Sequence, residues 1–102
     1  MTAGIVPLEL SSDVAIQKVR ELASDSRNVV LVAHAKARGR KRAINRLTIE
    51  RCLQKGVIAE GPYVALKTGN WRMNVFRRAA GEDVTCVVEI DWPNRLLVVT
   101  VF

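Results

Sequence analysis

The chain has 102 residues, of which 49% are hydrophobic and 25% are charged. These values are ordinary for a folded protein, so we expect a single domain over residues 1–102 with a modest core. The formal net charge of +6 favours a polyanionic partner, either nucleic acid or an acidic protein. The composition argues against a membrane protein, because no apolar stretch approaches the roughly 20 residues that a membrane span needs.

The start of the chain and its cysteines indicate the cellular setting. Residues 1–10 lack the basic start and long apolar run of a signal peptide. Cys52 and Cys86 lie far apart without metal-ligand spacing, and His34 is the single histidine. We therefore expect a cytoplasmic protein with two reduced core cysteines, no metal site and no membrane partner. No cofactor is expected, since the chain has neither a glycine-rich phosphate loop nor a dinucleotide fingerprint.

The first 28 residues predict a helical extension. Pro7 argues against helix in the lead-in up to Leu10. Ser11 and its neighbours are good N-cap residues. Apolar residues then recur at helical spacing, which predicts a first helix over residues 12–23. Their positions are Ala15, Ile16, Val19, Leu22 and Ala23. Residues 24–28 form a polar loop.

The next segment predicts a strand followed by two helices. Residues 28–33 are apolar after Asn28, which fits a strand covered on both faces. Residues 35–42 suit a helix whose small face, Ala35, Gly39 and Ala43, allows close approach to a sheet. Asn45 is a plausible N-cap for a second helix, and Gly56 suits a left-handed position at its end.

After residue 56 the hydrophobic period changes to two, which predicts strands. We expect strands over residues 57–60 and 63–66 separated by a turn at Gly61-Pro62. Three further strands, over residues 71–76, 84–91 and 95–102, form an antiparallel meander. The predicted fold is therefore α+β: an N-terminal helix, a strand, two helices and a curved antiparallel sheet of about four strands.

Residues 34–56 carry half of the 16 lysines and arginines but one acid, Glu50. On a helix, His34, Arg38, Lys41 and Arg42 fall within about one third of the circumference. Metal-independent RNA cleavage needs a group that takes the proton of the 2′-hydroxyl and cations that stabilise the phosphorane. Histidine and arginine supply these functions. The alternatives are a capping histidine at the strand–helix corner and a solvated basic face.

A second basic patch lies on the predicted sheet. Arg72 and Arg78 share one strand face with Phe76, which suits single-stranded RNA through stacking and phosphate contacts. Thr100 is the single hydroxyl in the last apolar strand, where it either orients a phosphate or fills the strand. The predicted RNA- and phosphate-binding residues are Lys36, Arg40, Lys41, Arg46, Lys67, Arg72 and Arg78.

The segment from His34 onward resembles a family of small, uncharacterised bacterial domains. In that family a strand ends in Ser-x-His-Ala and is followed by two arginines at steps of four, an isoleucine and a glycine. The matching residues here are His34-Ala35, Arg38, Arg42, Ile44 and Gly56. The family also ends in Thr, Val and an aromatic, as in residues 100–102. The resemblance covers about residues 29–102, and Gly39 departs from it by replacing a bulkier residue.

This family looks like a branch of the RelE/BrnT-like toxins, which are related more widely to barnase-like and colicin-like ribonucleases. The resemblance implies a helix-plus-sheet fold, metal-independent RNA cleavage and a cognate, here acidic, antitoxin. By position it gives catalytic roles to His34, Arg38, Arg42 and Thr100. We therefore expect a small endoribonuclease, the toxin of a bacterial toxin–antitoxin pair. The alternative is a non-catalytic RNA-binding or protein-docking module with the same basic surface. The RNA target and oligomeric state stay open.

Overall fold

The computed structural model describes residues 10–102. The elements in chain order are α1 (Ser12–Ala23), a 3₁₀ turn (Ser26–Asn28), β1 (Val29–Leu31), α2 (Ala33–Arg42), α3 (Arg46–Lys55), β2 (Val57–Val64), β3 (Trp71–Ala79), β4 (Glu82–Asp91) and β5 (Arg95–Val101). The predicted non-helical lead-in around Pro7 lies outside the described residues. The α+β class is confirmed.

Helix α1 has the predicted bounds, and its cap explains where it begins. The Ser11 hydroxyl accepts a hydrogen bond from the Val14 N–H at 3.2 Å, as expected of an N-cap serine. The buried residues of α1 are Ala15, Val19, Leu22 and Ala23. They belong to the same hydrophobic cluster as the sheet residues, so this N-terminal helix is part of the domain core.

A tight turn joins α2 to α3. Ala43 adopts the left-handed conformation with φ of 56°, and the Ile44 N–H bonds to the Gly39 carbonyl at 2.8 Å. A Cβ at Gly39 would lie 2.9 Å from the Ile44 carbonyl oxygen, so the turn requires glycine there. The Asn45 side chain accepts from the Thr48 N–H at 2.8 Å, which confirms the predicted cap of α3.

Gly56 is needed for a different reason than we predicted. Its φ is −76°, so the predicted left-handed cap is wrong. A Cβ at this position would lie 2.5 Å from the Cys52 carbonyl oxygen and 2.6 Å from the Phe76 carbonyl oxygen. The glycine therefore allows the chain leaving α3 to pass directly against β3.

The sheet has five strands in the order β1-β5-β4-β3-β2, which corrects the prediction of an antiparallel sheet of about four strands. Strands β3 to β5 form the expected antiparallel meander. Strand β2 extends it by pairing antiparallel with β3. Strand β1 joins the edge parallel to β5, with Val29 opposite Leu96, so the sheet is mixed. As an edge strand, β1 buries Val29 alone, and the prediction that both its faces are covered is wrong.

Gly61 and Pro62 also differ from the prediction. They lie inside one continuous strand, β2, at a register shift between Glu60 and Tyr63. The two short strands predicted on either side of a turn are therefore one irregular edge strand. A turn that includes Gly69, with φ of 74°, follows β2 and leads into β3.

The two faces of the sheet have different surroundings. Met73, Cys86 and Val98 are fully buried in one cluster with the buried residues of all three helices. The opposite face carries Arg72, Glu89 and their neighbours in register, and no helix covers it within residues 10–102. Helix α2 packs against β5, and α3 against β3 and β4.

Cys52 on α3 and Cys86 on β4 are buried and free, as predicted for core residues. The Cys52 thiol lies 3.5 Å from the Val75 carbonyl oxygen. A hydrogen bond with Cys52, together with burial, raises the pKa of the Cys86 thiol. Over residues 10–102, no helix combines the length and apolar composition needed to cross a membrane.

Candidate nucleic-acid interface

Helix α2 exposes an unusual concentration of positive charge. Its sequence AHAKARGRKR contains His34, five lysines or arginines and no acid. Only Ala35 and Gly39 are buried, because these small residues form the narrow stripe that packs against the sheet. Every other side chain of α2 is therefore at least partly open to solvent.

The helical period sorts these charges into two rows. Residues four apart lie nearly above one another, each step advancing about 6 Å along the axis. His34, Arg38 and Arg42 form one row beside the buried stripe, and Lys36 and Arg40 form a second row on its other side. His34 and Arg42 are exposed, whereas Arg38 is half-buried. The structure thus brings three of the four predicted catalytic residues into one row about 12 Å long.

His34 is the second residue of α2 and lies at its uncapped N-terminus. Val32 occupies the N-cap position without a side-chain hydrogen bond. The first backbone hydrogen bond of α2 runs from the Lys36 N–H to the Val32 carbonyl oxygen, at 3.0 Å. The positive end of the helix dipole therefore adds to the field of the side chains beside His34.

The lysines and arginines of α2 have no carboxylate partners among residues 10–102, whereas several arginines elsewhere in the chain form ion pairs. Within residues 10–102, no carboxylate pairs with Lys36, Arg38, Arg40, Lys41 or Arg42. The basic residues on α2 are thus available to an external anion without first breaking an internal ion pair.

Three other predicted phosphate-binding residues are held by acids of the chain itself. Arg46 pairs with Glu50 at 2.7 Å and also donates to the Val29 carbonyl at 2.6 Å. Arg78 pairs with Asp83 at 2.6 Å. Arg72 pairs with Glu89. An RNA phosphate would have to compete with these carboxylates, whereas Lys67 is exposed and has no such partner among the described residues.

Glu89 organises the face of the sheet that carries no helix. Its side chain is 2% exposed and accepts hydrogen bonds from Thr68 at 2.7 Å, Asn70 at 3.2 Å and Arg72. Burial opposes ionisation, but these hydrogen bonds and the Arg72 charge prevail and lower the pKa of the Glu89 carboxyl. This network ties the 65–70 segment to the sheet.

Thr100 lies apart from the α2 row. It pairs in register with Val87 on the face without helices, beyond a register shift in β5. The side chain of the next residue, Val101, faces α2 instead, because a Cβ on Gly39 would lie 3.9 Å from its Cγ2 atom. A catalytic role for Thr100 stays a prediction.

A cavity that the sequence does not predict lies at the C-terminal end of α2. It has a volume of about 220 Å³, and it brings the α2–α3 turn together with the first residues of β4. Its polar lining residues are Arg42, Thr48, Glu82 and Asp83. Nothing in the sequence pattern signals this arrangement, since residues 42–48 and 82–84 meet only through tertiary packing.

Comparison with protein families gives a match over most of the chain. Residues 31–102 match the model of a domain of unknown function, DUF4258. The chain belongs to this family. The matched region begins at the end of β1, so it includes α2 and the meander but leaves α1 outside. No curated protein and no solved structure matches the chain.

Proposed function

We propose that this DUF4258 protein is a small, metal-independent endoribonuclease, the toxin of a bacterial toxin–antitoxin pair acting in the cytoplasm. The observation that supports it most is the row of His34, Arg38 and Arg42 along α2, which is at least partly open to solvent and free of carboxylate partners within residues 10–102. The α+β architecture is compatible with a RelE/BrnT-like relationship, which is part of the same proposal.

The proposed mechanism assigns separate tasks to the imidazole and the guanidinium groups. His34 removes the proton from the 2′-hydroxyl, and the 2′-oxygen then attacks the adjacent phosphorus. Arg38 and Arg42 bind the non-bridging oxygens and offset the charge that accumulates on the phosphorane. Because guanidinium and imidazole supply both functions, the reaction has no step that requires a metal ion.

The second half of the reaction follows from the single histidine. In an in-line displacement the attacking 2′-oxygen and the departing 5′-oxygen lie on opposite sides of phosphorus. Because His34 lies on the side of the 2′-oxygen, the 5′-oxygen takes its proton from water as the P–O5′ bond breaks. The products are a 2′,3′-cyclic phosphate and a 5′-hydroxyl end.

The same surface of α2 would also bind the proposed antitoxin. An acidic protein that covers α2 would neutralise its cations and block His34 at once, which links inhibition to charge complementarity. Binding of such a partner is expected to weaken as salt rises, since the charges of α2 are mostly solvent-exposed.

The proposal is tested with purified protein and a single-stranded RNA in the presence of EDTA. Wild-type protein should produce fragments with 2′,3′-cyclic phosphate ends, and a strand with 2′-deoxyribose throughout should stay intact. His34→Ala should slow cleavage by a factor of about 10²–10⁴, while Gln17→Ala on the exposed side of α1 should leave it unchanged. Expression of the wild-type chain should slow bacterial growth, and His34→Ala should relieve this effect.

The alternative, a non-catalytic binding module, makes a different prediction. It requires salt-dependent RNA binding through the unpaired cations of α2, with the RNA length unchanged. Equal cleavage by wild-type and His34→Ala protein, or RNA binding with no cleavage by either, would overturn the nuclease proposal. The second outcome would favour the binding module.

A further inference from the structure

The cavity at the end of α2 has the size and lining of a site for one small ring system. Its volume of about 220 Å³ is below the roughly 300–1,000 Å³ typical of pockets for drug-sized ligands. The lining is mainly polar, and Ile44 and Val84 are its larger apolar side chains. Its lining residues are Arg42, Ala43, Ile44, Thr48, Glu82, Asp83 and Val84.

Strand register identifies the acid that faces this cavity. Glu82 is two residues from Val84 along β4 and therefore points to the same side of the sheet, which is the helix-covered side because Val84 belongs to the core. Asp83 points to the other side, where it pairs with Arg78 at 2.6 Å. The Glu82 side chain has neither a hydrogen bond nor an ion pair with any residue from 10 to 102. Its carboxylate is the available acceptor.

Arg42 connects the cavity to the α2 row. It is the last residue of the row that begins at His34, and it also lines the cavity. A strand whose phosphates follow the row therefore brings one of its bases to the cavity mouth. Arg77 adds positive charge nearby, since it lines a small adjoining cavity with Thr48 and Glu82.

We propose that this cavity is a nucleobase pocket in which Glu82 selects guanine, an inference that rests on the proposed action on RNA. A carboxylate is a pure acceptor with two oxygens. Guanine presents two neighbouring donors, N1–H and the N2 amino group, on one edge and can satisfy both oxygens at once. Adenine and cytosine place one amino group beside a ring acceptor, and uracil flanks its single N–H with two carbonyls. These acceptors repel the Glu82 carboxylate.

The direct test is titration of the full chain with GMP, AMP, CMP and UMP by calorimetry, with backbone NMR shifts to locate binding. All four probes carry the same phosphate and ribose, so a difference in affinity reports the base. GMP should bind at least about tenfold more tightly than the others, as expected for one bidentate contact to a base edge. The shifts should concentrate at residues 42–48 and 82–84.

Glu82→Gln should reduce the preference for GMP to within about twofold, because the amide replaces one acceptor oxygen with a donor. Glu60→Gln, which removes the same charge from an exposed site on β2, should retain the full preference. Equal affinity for the four nucleotides, or a preference that survives in Glu82→Gln, would overturn the pocket. Circular dichroism of each variant establishes that it is folded.

Mapping of RNA cleavage sites separates this inference from the proposed function. Cleavage next to all four bases with equal efficiency would overturn the guanine pocket and leave the nuclease standing. Selective GMP binding by a protein that cleaves no RNA would support the pocket and overturn the nuclease. Cleavage concentrated beside guanine, and lost from that base in Glu82→Gln, would support both.

Discussion

Replacing Arg38 and Arg42 together with glutamine tests whether the α2 row holds RNA phosphates. Each phosphate contact to a single strand contributes about −0.7 to the slope of log K against log salt. If all five lysines and arginines of α2 make one contact each, wild-type protein should show a slope of about −3.5. The double variant should show about −2.1.

The same relation predicts the loss of affinity. Two lost contacts weaken binding by about 25-fold at 0.1 M salt, and the difference from wild type shrinks toward 1 M. Fluorescence anisotropy with a short labelled RNA at about five salt concentrations measures both quantities.

The matched control replaces Arg27 and Arg95 with glutamine. Both are exposed and pair with acids of the chain, Asp25 and Asp91, so the control lowers the net charge by the same amount away from α2. Its slope should equal that of wild-type protein. An unchanged slope in the Arg38/Arg42 variant would refute the assignment. An equal reduction in both variants would attribute binding to net charge rather than to α2.

Three further predictions concern stability, each measured by urea denaturation. Glu89→Gln should lower the free energy of unfolding by about 2 kcal/mol. Breaking a fully buried ion pair costs about 3–5 kcal/mol, and the expected loss is smaller because Arg72 is 32% exposed. A loss no larger than that of Glu60→Gln would contradict a stabilising role for the Glu89 hydrogen-bond network. The pKa of Glu89 is lowered in the folded state. Its contribution to the free energy of unfolding should therefore be complete above the unfolded-state pKa of about 4.3 and be lost as the pH falls through the folded-state pKa. Glu89→Gln should remove this part of the pH dependence. Gly56→Ala should destabilise by about 1–3 kcal/mol, and wild-type stability would show that the chain relaxes around the added carbon. Ala43→Gly should stabilise by about 1 kcal/mol by relieving the left-handed backbone, whereas Ala37→Gly inside α2 should destabilise by about as much; the same sign for both would contradict this account.

Local signals explain which parts of the fold the sequence predicts well. The bounds of α1 and the cap of α3 depend on residues within one turn of each other, such as Ser11 with Val14 and Asn45 with Thr48. Alternating hydrophobicity places β3, β4 and β5 for the same reason. Their short turns also determine that neighbours pair antiparallel.

Features that depend on distant partners were not predictable in this way. The parallel pairing of β1 joins Val29 to Leu96, 67 positions later in the chain, and no local pattern selects that partner. The requirement for glycine at position 56 comes from the Phe76 carbonyl, which belongs to a different strand.

The candidate site shows the same division. The row of His34, Arg38 and Arg42 follows from helical period alone, so the sequence predicts it. The diversion of Arg72 to Glu89 depends on strand register, and the cavity at Glu82 depends on the packing of a hairpin against the α2–α3 turn. A charge count cannot separate cations that are free from cations already paired.

The rate of RNA cleavage by wild-type and His34→Ala protein, in EDTA and under single-turnover conditions, tests the central claim most directly. If the imidazole takes the 2′-hydroxyl proton, the variant should be slower by a factor of about 10²–10⁴, while RNA binding stays close to wild type because the α2 cations are intact. Cleavage by the variant within about threefold of the wild-type rate would contradict the account, since a proton acceptor in this reaction cannot be removed at so small a cost.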